Sequence, residues 1–168
     1  MIWLITDALI VLGAGLHIAR DKQARTGRRV VEICLLYMLA IGAGVSSLLA
    51  FGAHAFFPDI TARQIGWPTG SPFQFEVAMA NLAFGVLGIL CIWLRNSFWV
   101  ATIIGFSIFW LGDAYGHFYQ LFVYKDYAPY NAGFILYNDT FFPLVLLGLL
   151  VAYIVLGRRA TPAEVAWE

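Results

Sequence analysis

Charged side chains are scarce in this chain. Asp, Glu, Lys and Arg make up 12% of its 168 residues, about half their share in a soluble domain. Hydrophobic residues fill the gap at 61%, and the mean hydropathy is +0.79. These values exclude an ordinary soluble domain and predict a polytopic membrane protein. The few charges cancel to a net of +0, so no bulk field points to nucleic acid. There are only two cysteines, Cys34 and Cys91, which excludes a disulfide framework. They read as small packing residues near the cytoplasmic ends of their helices, where thiols stay reduced. No Gly-rich phosphate loop, zinc-ribbon spacing or nucleophile elbow occurs. No internal repeat and no linker is evident, so a single transmembrane domain over 1–168 is expected. The opening run "MIWLITDALIVLGAGLHIAR" lacks a basic stretch and a convincing cleavage site, and reads as a retained helix.

What the chain has instead is long apolar runs. A helix needs about 20 apolar residues to cross the hydrocarbon core. Five segments qualify, at about 2–19, 29–57, 72–94, 97–122 and 139–157. The expected fold is therefore an all-α bundle of five transmembrane helices. Basic residues set its direction. Arg20, Lys22, Arg25, Arg28, Arg29, Arg95, Arg158 and Arg159 fall on one side, and only Arg63 and Lys125 on the other. That bias predicts an outer amino terminus and a cytoplasmic carboxyl terminus in the inner (cytoplasmic) membrane.

The outer loops have local signals. "FFPDITARQIGWPTGSPFQ" predicts a short interfacial helix starting near Asp59, then a Pro/Gly turn. Ser71 and Gln74 read as a capping box with Pro72 at the first helical position. Asn138 reads as a cap for the fifth span. Trp3, Trp67, Trp93, Trp99, Tyr124, Tyr127 and Tyr130 fall near expected interfaces, as an aromatic belt would.

An ionisable residue inside a span is expensive and is a functional candidate by default. The topology puts Asp7, His54, Glu76, Asp113, His117 and Asp139 in the outer leaflet, with contributions from all five helices. Four ionised acids in a low-dielectric bundle would repel one another. Protons, charged imidazoles or two divalent cations could neutralise them. Four carboxylates and two histidines also match the ligand count of di-iron and di-manganese bundle sites. The spacing differs, because this chain has Asp-x-x-x-His where those sites have Glu-x-x-His. Each residue also has a structural explanation: Asp139 as a helix-start acid, Asp7 as a wetted terminal group, His54 as an interfacial hydrogen bonder. Pro143 frees the carbonyl of Asp139. Asn81 reads as interhelical glue. His17 and Glu32, beside the basic loop, read as salt-bridging or snorkelling groups. Gly13–Gly15, Gly42–Gly44, Gly85 with Gly88, and Gly112 with Gly116 mark expected helix contacts. The last pair adjoins Asp113 and His117, which predicts that this stripe faces the bundle.

The segments "IGWPTGSPFQFEVAMANLAFGVLGILC", "GDAYGH" and "NAGFILYND" resemble a family of small bacterial and archaeal membrane proteins known only as a domain of unknown function. The resemblance covers most of the chain and implies a compact polytopic protein with no assigned activity. In size and layout the chain is also loosely similar to DoxX-like membrane proteins, some of them linked to quinone or redox chemistry.

Three functions are expected from this pattern. The first is a metal-dependent protein, a redox enzyme or hydrolase, holding iron, manganese or zinc at the six outer-leaflet residues. It would act on a lipophilic or small periplasmic ligand. The second is a structural subunit of a homo-oligomer or membrane complex. The third is a small proton-coupled transporter. Bis-His haem binding by His54 and His117 is a lesser alternative.

Overall fold

The computed structural model describes residues 2–23 and 26–160, with side chains for 3–23 and 26–157. Arg25 and the side chains of Arg158 and Arg159, used above to orient the chain, lie outside the described residues. Among the described residues six helices follow one another: α1 (Ile2–Arg20), α2 (Gly27–Phe56), α3 (Pro58–Ile65), α4 (Phe73–Leu90), α5 (Ser97–Val123) and α6 (Phe134–Ala160). No strand occurs among the described residues. All but α3 are long and apolar enough to cross a membrane. The chain is thus an all-α, multi-pass membrane protein.

The helix ends follow local chemistry. Thr26 caps α2, its hydroxyl accepting from the Arg29 N–H at 3.2 Å. Phe57 leaves the helical region at φ −130°, as a residue preceding proline is pushed to do. Pro58 then starts α3 at a position that needs no N–H donor. Gly66, at φ +89°, ends α3 in the left-handed conformation, and the Trp67 N–H returns to the Ala62 carbonyl at 2.8 Å. The short helix expected near Asp59 is α3.

Two boundaries differ from expectation. α4 stops at Leu90, not near 94, because the chain turns there. The buried Trp99 indole donates to the Cys91 carbonyl at 2.9 Å and locks that turn. Trp99 is 1% exposed, so it belongs to the core and not to an interfacial belt. α6 starts at Phe134, well before 139. The loop-like "NAGFILYND" hides this start, but Leu136 is buried and anchors the added turn. Asn138 and Asp139 therefore lie inside α6, and neither caps it.

α2 is the central helix. Its first half packs on α1 and α6, and its later part on α4, while α5 pairs with α6. Residues Met38–Val45 widen into π-helix, the Ser46 N–H reaching the Ile41 carbonyl. Such segments recur at functional sites and tight packing points. Here the segment carries Gly42 and Gly44. A methyl on Gly44 would stand 3.1 Å from the Ile89 nitrogen, and one on Gly88 would collide with the Gly44 backbone. α2 and α4 thus cross backbone to backbone, as small residues allow in lipid. Gly112 and Gly116 do the opposite: an added methyl on either would meet nothing within 4 Å. The expectation that this pair packs helices together is not met. Tyr115 and Tyr119, on the same face of α5, point outward as well.

The core sits toward the end carrying the 21–26 loop. Leu35, Leu39, Ile103, Phe106 and Leu146 are fully buried there with Trp99. Phe106, Trp110 and Phe142 then form an aromatic layer across the middle, with centroids 4.5 to 6.0 Å apart. Outside this core, Arg29 pairs with Asp21 at 2.7 Å and with Glu32 at 3.3 Å. Glu32 is thus salt-bridged as expected, whereas His17 meets the Tyr37 ring edge-on at 5.8 Å.

Candidate functional site

Beyond the aromatic layer, toward the end carrying α3, the helices enclose a cavity of about 100 Å³. Its polar lining includes His54, Asn81, Asp113, His117, Asn138 and Asp139. Thr61 and Ile65 of α3 and Tyr130 of the 124–133 loop also line it, and Trp110 is its aromatic wall. A hollow of that size with several polar partners has room for more than one water.

Local chemistry holds the cover in place. The Thr61 hydroxyl donates to the Ala53 carbonyl at 2.9 Å, pinning α3 to the end of α2. The Tyr130 N–H donates to the Gln64 carbonyl at 3.0 Å, joining the 124–133 loop to α3. The Asp126 carboxylate rests against Gly66, where no side chain would fit. It also accepts from the Ala128 N–H at 2.9 Å, which shapes the loop.

Both imidazoles are oriented by buried amides. Asn131 is 0% exposed. Its Nδ2 donates to the Asp126 carbonyl at 2.8 Å. That leaves its Oδ1 as the acceptor for His117 Nδ1, 2.8 Å away. His117 Nδ1 therefore carries a proton, and in the neutral ring Nε2 is the lone-pair atom. Nε2 stands 3.6 Å from Asp139 Oδ2, which is ion-pair range but too long for a direct hydrogen bond. On the other wall, His54 Nδ1 and Gln74 Oε1 are 2.6 Å apart. An amide oxygen only accepts, so His54 Nδ1 donates, and in the neutral ring its Nε2 is likewise the lone-pair atom.

Of the six residues expected to converge, four line this cavity: His54, Asp113, His117 and Asp139. Glu76 does not. It is exposed in the first turn of α4, where a carboxylate complements the helix dipole. Asp7 does not either. It lines a separate open groove with Met38, Asn138, Phe141 and Val145. The reason is helical phase, since depth in the bilayer is legible from residue count but facing direction depends on how each helix is rotated. Among the described residues, no three His, Cys, Asp or Glu side chains are grouped so as to hold a metal ion. The expected six-ligand centre is not assembled.

The neutral partners differ from expectation. Gln74 was expected in a capping box with Ser71. Instead the Ser71 hydroxyl accepts from the Phe73 N–H at 3.3 Å, and the Gln74 side chain turns inward to His54. Asn81 donates to the Val77 carbonyl of its own helix at 3.0 Å, so it does not bridge helices as expected. Asn131 carried no signal at all, because a search for ionisable groups passes over an amide in a loop. Asn131 lies three residues before Phe134, a helix start that the apolar run expected from 139 conceals, so its burial is what reveals it.

The architecture and this cavity define a class: a multi-pass α-helical membrane protein with an acid- and imidazole-lined pocket in one half of its bundle. The chain belongs to DUF6790, a family of unknown function, whose model matches residues 1–159. The family resemblance is thereby borne out, while no likeness to DoxX-like proteins is found. Among curated proteins and among solved structures, nothing matches.

Proposed function

We propose that this protein is a cation-binding membrane protein whose cavity is the binding site. The observation that carries this is the lining: two carboxyl groups and two imidazoles whose Nδ1 atoms are held by amide oxygens, and no lysine or arginine among the described residues around them. A buried set of that sign calls for a positive guest. The aromatic layer of Phe106, Trp110 and Phe142 backs the cavity, which favours holding a guest over passing it across. The chain forms one helical domain in the inner membrane, amino terminus outside, so the cavity belongs to the outer leaflet. The excess of basic residues on the opposite loops supports that direction. Cysteines placed at Lys22 and Lys125 would test it: an impermeant maleimide on intact cells should label the second and not the first.

A divalent metal ion is a second reading of the same site, favoured by one observation. Both imidazoles donate Nδ1–H to an amide oxygen, which is how metal-binding histidines are commonly oriented. Iron, manganese or zinc would suit such a nitrogen and oxygen set, with His117 and Asp139 on one wall and His54 and Asp113 completing it. Catalysis, redox or hydrolytic, would require a metal that stays bound. Calorimetry of the purified protein, with elemental analysis, separates the readings. Small ammonium ions or divalent cations should bind, and Asp113→Asn with Asp139→Asn should abolish binding. Equal affinity for acetate, or binding unchanged in that double variant, would sink the cation reading.

A further inference from the structure

The groove that holds Asp7 is not isolated from the cavity. Asn138 lines both. On α1, Trp3 lines the cavity, and Asp7, Ile10 and Val11 line the groove. On α6, Ile135 and Asp139 line the cavity, and Phe141, Phe142 and Val145 line the groove. The two hollows therefore run along one α1–α6 seam, with Met38 of α2 as its floor. From Ile135 to Val145 the seam is about 15 Å long at the helical rise per residue.

The two ends of this seam differ in chemistry. The cavity end is polar and enclosed by the α3 cover. The groove end is open and apolar except for Asp7 and Asn138, and its walls include the exposed side chains of Val11, Phe141 and Val145. A half-buried carboxylate facing the bilayer is costly. It is accounted for if a positive group passes or rests beside it. No lysine or arginine among the described residues lines either hollow.

The geometry points to a lipophilic amine as the guest, entering sideways from the bilayer, with its ammonium head in the cavity among Asp113, His117 and Asp139 and its hydrocarbon tail along the groove between Phe141 and Val145. This inference rests on the cavity being a cation site and adds the tail, the route and the role of Asp7. Asp7 is the first counter-ion the head meets, and Asn138 stands where head and tail join. A single apolar chain suits a seam of this length, since burying its methylenes contributes about 0.8 kcal/mol each.

The test uses a reporter in the groove. Cys34 and Cys91 are replaced by alanine and Val145 by cysteine, and labelling by N-ethylmaleimide is followed in mild detergent. Dodecylamine should slow labelling at least tenfold. Dodecanol, with the same tail and no charge, should not, and ethylamine, with the head alone, should not. Asp139→Asn should remove the protection by dodecylamine, and Asp7→Asn should weaken it. Equal protection by dodecanol would overturn the inference and leave a simple lipid groove. Ethylamine binding by calorimetry without any dodecylamine protection would overturn the tail while the cation site stands. Failure of both amines to bind would overturn this inference together with the ammonium reading of the cavity.

Discussion

The same five long helices build both ends of this bundle, and they fill them differently. Toward the 21–26 loop, Leu35, Leu39, Ile103 and Leu146 are all 0% exposed, and Trp99 closes the end of the core. Toward α3, the corresponding space is a cavity of about 100 Å³ between Asp113, His117, Asp139 and His54. Apolar side chains interlock until no room is left. Imidazoles must keep a partner, and here the partners are amides placed behind them, Asn131 and Gln74. The side facing inward is left with space. A hollow half is the costlier arrangement, which is why it reads as a site.

The comparison is broken most strongly from the filled half. Trp99→Ala should cost about 3–5 kcal/mol, the range for removing a buried aromatic, and it also frees the Cys91 carbonyl. Trp110→Ala, whose ring already faces the cavity, should cost clearly less. Denaturant unfolding in detergent micelles measures both, and equal losses would erase the distinction between the halves.

The glycine contacts sharpen it next. Gly88→Val puts a branched side chain against the Gly44 backbone and should destabilise by about 1–3 kcal/mol, as overpacking does. Gly112→Ala with Gly116→Ala meets open space and should stay within about 0.5 kcal/mol of the parent. A large loss from the second pair would mean that this face of α5 is covered in the assembled protein.

Asn131→Ala tests the hollow half directly. It strips His117 of its acceptor, so cation affinity should fall about tenfold or more, as when an orienting partner is lost. Stability should fall by about 1–3 kcal/mol for the unpaired buried group. An unchanged affinity would show that the tautomer of His117 does not matter to the site.

The smallest effect lies outside the bundle. The Arg29 guanidinium, hydrogen-bonded to Asp21, holds that carboxyl below its ordinary value of 3.8. A depressed carboxyl contributes stability above its ordinary value and loses it as pH falls through its lower folded value. Acid melts should therefore show a slight extra loss below about pH 4 that Arg29→Gln removes. The cavity variants should leave that loss in place.

Much of the architecture is legible in the amino acids. Apolar run length locates the five long helices, and the run "PDITARQIGW" locates α3 through its proline start and glycine stop. Depth is legible too, so His54, Asp113, His117 and Asp139 were expected near one another. Facing direction is not. Glu76 and Asp7 have the right depth and the wrong rotation, and nothing in an almost uniformly apolar helix marks which side meets protein and which meets lipid. The glycines show the same limit. Gly44 and Gly88 are contacts while Gly112 and Gly116 are not, although the second pair has the better-known spacing.

The sequence by itself determined the class, a five-span helical membrane protein with acids and histidines concentrated toward one end. It could do so because lipid solvation leaves a one-dimensional record in apolar run length and charge placement. Only the tertiary structure decided which of those groups share a cavity, that two buried amides orient the histidines, and that a groove adjoins the cavity at Asn138. Those facts depend on helix rotation, on the π-helical stretch of α2, and on a loop amide brought in from outside the spans. Each is set by side-chain packing across helices, which run length and charge do not record.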